Sequence, residues 1–225
     1  KMSKNVNTFR HEAAPVVSPD GRTLYFFVQN HPENTMGKED TQDIWVSTMD
    51  PDGVWSVARH LDSPFNLHRS NQVFTVFPDG QLFIKGGSSR GDKGFSIVSG
   101  TSLQEVKVKD FRDMNKGRFY GASMSVDRKH IIMYFSEVQN SINSDLYESH
   151  QEPDGSFSRP SKLKLSTSTD DVGHFIDPDQ QTLYFASARQ APGRQGGVDV
   201  YKTKRVDETW MNWSEPVNMG RPINT

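Results

Sequence analysis

The chain has 225 residues, 33% of them hydrophobic, with Lys and Arg totalling 26 against 28 for Asp and Glu. That length suits one large all-β domain or two small ones, and a net charge of −2 provides no field to draw in a nucleic acid or an anionic membrane surface. Cysteine is absent, which excludes disulfides, thiolate metal sites and Cys nucleophiles. No apolar run approaches the roughly 18 residues that span a bilayer, so the chain reads as soluble, with no nucleic-acid partner and no direct membrane insertion. It starts at Lys1 and stops at Pro222-Ile223-Asn224-Thr225, and both ends read as cut from a longer protein.

The first predicted element is a strand, a, over Ala13–Val17. Ser18-Pro19-Asp20-Gly21 follows, a tight turn in which Pro presets φ near about −65° and Gly permits positive φ. Thr23–Val28, rich in aromatic and β-branched residues, is strand b. A polar loop, His31 to Gln42, leads to strand c at Ile44–Ser47, and a second turn, Asp50-Pro51-Asp52-Gly53, leads to strand d at Trp55–Ala58.

The same phrases then recur. The Ser18–Phe26 segment returns at Phe77–Phe83, Ser125–Met133 and Asp177–Phe185, with the shared Asp spaced by 59, 48 and 52 residues. Asp43-Ile44-Trp45 returns as Gly94-Phe95-Ser96, Asp145-Leu146-Tyr147 and Asp199-Val200-Tyr201. A third marker, an aromatic followed by Ser, appears at Trp55-Ser56, Phe157-Ser158 and Trp213-Ser214, and the second copy lacks it. Four strands per copy, with no 3.6-residue periodicity of helix length, predict an all-β β-propeller of four-stranded antiparallel blades. The copies run approximately 9–66, 67–115, 116–168 and 169–225 within a single domain, either a four-bladed propeller or part of a five- or six-bladed one.

On these residues the chain resembles the WD-like β-propeller repeats with a Pro-Asp signature found in TolB-like periplasmic proteins. The closing phrase, Trp213-Ser214-Glu215-Pro216-Val217-Asn218-Met219-Gly220 with Pro222-Ile223-Asn224-Thr225 after it, is similar to the version carried by Bacteroidota cell-envelope proteins with an OmpA-like peptidoglycan-binding domain, including a type IX secretion component. The resemblance covers essentially the whole chain. It implies a non-catalytic periplasmic scaffold associated with the outer membrane, with envelope protein partners and with peptidoglycan reached through a separate domain. Propellers host unrelated activities, so a propeller enzyme (metal-dependent lyase or peptidase-associated propeller) and a glycan- or small-ligand-binding module stay open as alternatives.

The search for chemistry is mostly negative. Gly121-Ala122-Ser123-Met124-Ser125 approaches a hydrolase elbow but falls in a strand a, without the strand-to-helix turn that exposes such a serine. The His residues at 11, 31, 60, 68, 130, 150 and 174 have no zinc-site spacing. The acidic turns do not continue into a calcium loop and are accounted for by turn chemistry. No metal, cofactor or catalytic residue is expected. Most aromatics sit at repeating strand positions and read as core, with Trp210 the exception that could offer a platform.

Strand order places the binding surface. In an antiparallel meander the a–b and c–d turns share one side, while the b–c loops share the other with the residues leading into strand a. The variable loops, His31 to Gln42, Gly86 to Lys93, Val138 to Ser144 and Ala188 to Gly197, belong to the second side, where a rigid scaffold presents recognition surfaces. The candidate binding residues there are His11, Glu12, Asn71, Arg118, Asp170, Asp171 and His174. Glu12, Asn71 and Asp171 have a local alternative, as caps of backbone N–H groups at the strand entrances.

Overall fold

The computed structural model describes residues 2–39 and 41–225; Lys1, and Asp40 of the first long loop, lie outside the described residues. The described chain is a four-bladed β-propeller, four consecutive four-stranded antiparallel meanders. It divides into two compact units, Lys1–Val106 and Lys107–Thr225.

The first unit holds blade 1, β1 (Glu12–Val17), β2 (Thr23–Val28), β3 (Asp43–Thr48) and β4 (Arg59–His60), and blade 2, β5 (Val73–Val76), β6 (Leu82–Lys85), β7 (Phe95–Ser99) and β8 (Ser102–Val106). The second holds a one-turn helix, α1 (Phe111–Met114), then blade 3, β9 (Gly121–Met124), β10 (His130–Phe135), β11 (Asp145–His150) and β12 (Ser161–Lys162). Blade 4 follows with β13 (Asp171–Ile176), β14 (Thr182–Ser187), β15 (Asp199–Lys204) and β16 (Val217–Asn218). Residues 107–115, read from the sequence as the end of the second copy, pair inside the second unit: Phe157 N–H donates to Lys107 O at 2.7 Å and Lys109 N–H to Phe157 O at 3.0 Å.

Alternation along the strands sorts each blade into two faces. In blade 1, Leu24, Phe26, Val28 and Trp45 point one way and pack with Val6, whereas Ile44 and Val46 point the other way, onto Val73, Leu82, Ile84 and Val98 of blade 2. In the second unit Ile132 and Leu146 of blade 3 meet Ile176, Leu183, Phe185 and Tyr201 of blade 4.

The repeated sequence markers are turn and edge hydrogen bonds. The shared Asp accepts from the backbone N–H two residues on: Asp20 from Arg22 at 3.0 Å, Asp79 from Gln81 at 3.1 Å, Asp127 from Lys129 at 3.1 Å and Asp179 from Gln181 at 2.7 Å. Gly21 and Gly80 take positive φ after it, and Arg128 and Gln180 adopt the same left-handed conformation in the copies that lack Gly. The aromatic-Ser marker pins the outer strand. Ser56, Ser158 and Ser214 accept through Oγ from the N–H of Thr48, His150 and Lys204 at 3.0–3.1 Å, and donate their own N–H to the same three residues' carbonyls.

The outer strand itself differs from the sequence reading. Trp55 makes a single bridge to Met49, the chain leaves the ladder at Val57, and β4 begins only at Arg59, because Ala58 N–H is taken by Asn5 O at 2.9 Å. Blade 2, which lacks the marker, has the most regular outer strand. Ser99 pairs directly with Ser102 across a tight turn, so β8 runs as a continuous five-residue ladder and needs no pin.

After each of three outer strands, one polar side chain takes both backbone groups of the residue that follows the start of the blade's third strand. Asn66 accepts from Ile44 N–H at 2.7 Å and donates to Ile44 O at 3.1 Å. Asn224 does the same to Val200 at 2.8 and 3.0 Å, and the Ser166 hydroxyl does it to Leu146 at 2.8 and 3.2 Å. Asn66→Ala leaves the buried Ile44 N–H unpaired, while Ile44 O keeps its bond from Leu61 N–H at 3.1 Å, and an expected loss of about 1–3 kcal/mol is measurable by urea denaturation. Asn7→Ala, which removes one exposed bond to Met2 O, should stay within about 0.5 kcal/mol.

Candidate functional site

Three of the seven candidate residues are scaffold. Asn71 is fully buried; its Oδ1 accepts from His68 N–H at 2.9 Å and its Nδ2 donates to Asp43 Oδ1 at 2.7 Å, so it ties blade 2 to the start of β3. Asp171, also fully buried, accepts from Thr167 N–H at 2.7 Å, from Ser187 Oγ at 2.6 Å and from the Arg189 guanidinium at 3.1 Å. His174 sits in the bulge of β13, where its Nε2 meets Ile132 O at 2.5 Å and its ring lies edge-on to Tyr134 at 5.8 Å. Asn71 and Asp171 take the local alternative, capping backbone N–H groups at the strand entrances, and His174, expected on the ligand side, packs on a neighbouring strand, because a buried polar group satisfies the backbone beside it when no water reaches it.

The other four reach solvent to different degrees. Glu12 accepts from Thr8 N–H at 3.2 Å and from the Thr8 hydroxyl, and it lines a cleft of about 260 Å³ with Lys4, Val6, Phe26, His31, Glu33 and Trp45. His11 is exposed and stacks on Phe27 at 6.2 Å. Arg118 is exposed. Asp170 accepts from Ser144 N–H at 2.8 Å, and its carboxyl is raised above the usual range mainly by burial, against the lowering effect of that bond.

Other side chains first singled out in the sequence are engaged as well. Ser123 is buried in β9 and accepts from Ile176 N–H at 3.1 Å. Trp210 is no platform: it is 3% exposed, stacked on the His130 ring at 4.5 Å, with the Arg205 guanidinium 5.0 Å from its ring centre. Buried Glu148 lies between His130 Nδ1 at 2.9 Å and His150 Nδ1 at 3.6 Å. Among the described residues no group of three or more His, Asp or Glu is placed to hold a metal ion, and no helix is long and apolar enough to cross a membrane.

No protein-family model and no curated protein matches the chain. Among solved structures it is similar to a puromycin hydrolase, at 12% identity over 95% of this chain and 30% of that one with a TM-score of 0.49. It is also similar to a prolyl endopeptidase, at 17% over 93% and 28% with a TM-score of 0.48, and to the periplasmic gluconolactonase of Pseudomonas aeruginosa, at 11% over 96% and 56% with a TM-score of 0.44. The chain thus spans less than a third of the puromycin hydrolase and of the prolyl endopeptidase. At such identities nothing about chemistry passes from them to this chain, and the fold assignment rests on the four sheets themselves.

The cleft beside Glu12 went unseen in the sequence because its walls come from six separate stretches of chain between Lys4 and Ala58. Its one legible signal is positional: Phe26 pairs with Trp45, as Phe185 pairs with Tyr201 in blade 4.

Burial lowers the His174 pKa to about 4, partly opposed by its bond to Ile132 O, and its Nδ1 has no hydrogen-bond partner among the described residues. A histidine with a depressed folded-state pKa is bound by more protons when unfolded. Stability therefore falls as the pH drops from about 6.5 towards 4, by at most about 3 kcal/mol. His174→Leu should flatten that limb when urea midpoints are compared across this window, whereas equal slopes in the two proteins would contradict the assignment.

Proposed function

We propose that this chain is a protein-interaction domain of a bacterial cell-envelope complex, acting in the periplasm at the outer membrane. In this reading the propeller holds a partner through its loop-rich side and supplies no bond-breaking chemistry. Type IX secretion is the setting favoured by the resemblance of the repeats, with peptidoglycan reached through a separate domain of the full protein.

The observation that carries the reading is the exposure of phenylalanine where strands a begin. Phe9, in the segment leading into β1, is 90% exposed, and Phe119, in the segment leading into β9, is 55% exposed. Val138 and Ile142, in the b–c loop of blade 3, are also exposed. Each compact unit therefore leaves an aromatic in water on its loop-rich side, while the polar residues at the neighbouring strand entrances are used up internally. Burying such a side chain against a partner is worth about 2 kcal/mol, and interface centres are enriched in aromatics.

A photo-crosslinking residue placed at Phe9 or Phe119 should yield a discrete protein adduct in bacterial envelope extract. The same residue at Val54 or Val206, exposed on the c–d turn side, should not. Adducts from the turn side alone would invert the assignment. Turnover of peptides or polyuronates that is lost on a single His→Ala change would replace the binding reading with an enzymatic one.

A further inference from the structure

Blades 1 and 4 carry the same groove at matching positions, and in blade 4 it is filled by a guanidinium. Register fixes the correspondence. Glu12 pairs with Val28 as Asp171 pairs with Ser187, and Phe26 with Trp45 as Phe185 with Tyr201. The segments covering the grooves correspond too, since Val6 lies six residues before Glu12 as Leu165 lies six before Asp171, and Thr8 bonds Glu12 as Thr167 bonds Asp171. In blade 4 the Arg189 guanidinium carbon sits 4.7 Å from the Phe185 ring centre and 5.3 Å from that of Tyr201. Its Nη2 donates to Leu165 O at 2.8 Å and to Asp171 Oδ1 at 3.1 Å. Two aromatic faces, a carbonyl and a carboxylate form a complete guanidinium site.

Blade 1 keeps the aromatic, main-chain and carboxylate walls of that site, has Val28 in place of the Ser187 hydroxyl that accepts from Arg189 Nε at 3.0 Å, and lacks its occupant. Phe26 and Trp45 stand where Phe185 and Tyr201 stand, Val6 where Leu165 stands, and Glu12 where Asp171 stands. The counterpart of Arg189 is Asn30, which adopts a left-handed φ of 51° and donates its amide to Lys38 O at 2.9 Å, away from the groove. What remains is the cleft of about 260 Å³. Glu33 adds a second carboxylate to its lining, His31 stands edge-on to Trp45 at 4.3 Å, and among the described residues Lys4 is the cation that lines it, with Arg10 nearby but bonded to Asn30 O at 3.1 Å and set over the Phe9 ring. Elsewhere the matching space is taken up from within. The His68 ring lies against Gly86, the counterpart of Val28, within 2.1 Å of where a Cβ would stand, and in blade 3 Phe135 stacks on Tyr147 at 4.0 Å.

We infer that the blade 1 cleft binds a guanidinium group, presented by an arginine side chain of a partner, in the arrangement Arg189 adopts in blade 4. The two carboxylates of the lining outweigh its exposed lysine, Arg10 being turned onto Asn30 O and Phe9, and the planar, weakly hydrated guanidinium suits the aromatic floor better than an ammonium. The inference stands on the cleft alone and does not need the envelope-scaffold reading, because it can be measured with a small probe.

The experiment titrates N-acetyl-arginine methylamide into the full chain at low salt while following the assigned Trp45 indole N–H resonance, with the lysine and citrulline analogues as comparators. The arginine compound should shift that resonance saturably, the lysine analogue at least several-fold more weakly, and the neutral citrulline isostere not at all. Glu12→Gln should weaken binding about tenfold, as loss of a charge-assisted hydrogen bond requires, and Lys4→Ala should strengthen it. Glu12 bonds only to exposed Thr8 among the described residues, so Glu12→Gln should keep its melting temperature. An arginine-containing tripeptide and agmatine separate the sources: tighter binding of the peptide marks a protein partner, equal binding a free guanidinium compound. Equal binding of citrulline, or an unchanged affinity in folded Glu12→Gln, overturns the inference.

Discussion

The third strand of a blade needs a partner for its first inward N–H, and the outer strand is too short to give one. β4, β12 and β16 are two residues long; the residue after each donates its own N–H to the carbonyl of Ile44, Leu146 or Val200, but the N–H of those three would stay unpaired in the interior at a cost of about 1–3 kcal/mol each. One side chain, the amide of Asn66 or Asn224 or the hydroxyl of Ser166, takes both groups. That contact fixes where the chain leaves one blade and how many residues remain before the next begins. Asn66 and Asn71 are five residues apart, as are Ser166 and Asp171, and the second member of each pair is buried at the following strand entrance. The aliphatic layers can then close over a backbone whose polar groups are already accounted for.

This polar framework also decides which side chains are left for recognition. At the position eight residues before the shared Asp, blade 2 has Asn71 and blade 4 has Asp171, both consumed by the scaffold. Blade 3 has Phe119 there, which no backbone group can recruit and which stays in solvent. Blade 1 has Glu12, one methylene longer than Asp, which bonds to Thr8 at the surface and lines an open cleft. One structural position thus yields two buried scaffold groups, an exposed apolar contact and a surface carboxylate, and the difference lies in side-chain chemistry on a common backbone.

Turn residues made the architecture legible in the sequence, since the turn built on the shared Asp states its backbone conformation directly and recurs at intervals of 59, 48 and 52 residues. The inner hairpins β1–β2, β5–β6, β9–β10 and β13–β14 lie where those turns place them. The outer strands were harder to read. Trp55, Phe157 and Trp213 mark the pin by Ser56, Ser158 and Ser214 and not the strand itself, which begins a few residues later once the segment leading into the blade has taken its hydrogen bonds. The candidate surface was legible as a side of the fold but not residue by residue. Whether Asn71 or His174 meets water depends on which strand packs beside it, and alternation within a single strand carries no trace of that.

The charge in the blade 1 cleft is set by the few ionisable groups that line it. Burial, then Arg10, lower the His31 pKa, against weaker opposing effects of Glu33 and Glu12, so the imidazole stays neutral near pH 7 and adds no positive charge beside the Trp45 ring. Lys4 lies at the exposed end, where water screens it and a flexible stem lets it move aside. Glu12 and Glu33 therefore dominate the field over an apolar floor formed by Phe26, Val28 and Trp45. Blade 4 resolves the same combination by placing Arg189 against Asp171, as a carboxylate beside stacked aromatics requires in a dry setting. In blade 1 the counterpart of Arg189 is Asn30, so the Glu12 carboxylate must either stay hydrated or take its cation from another molecule, and the aromatic floor of Phe26 and Trp45 beside it suits the second.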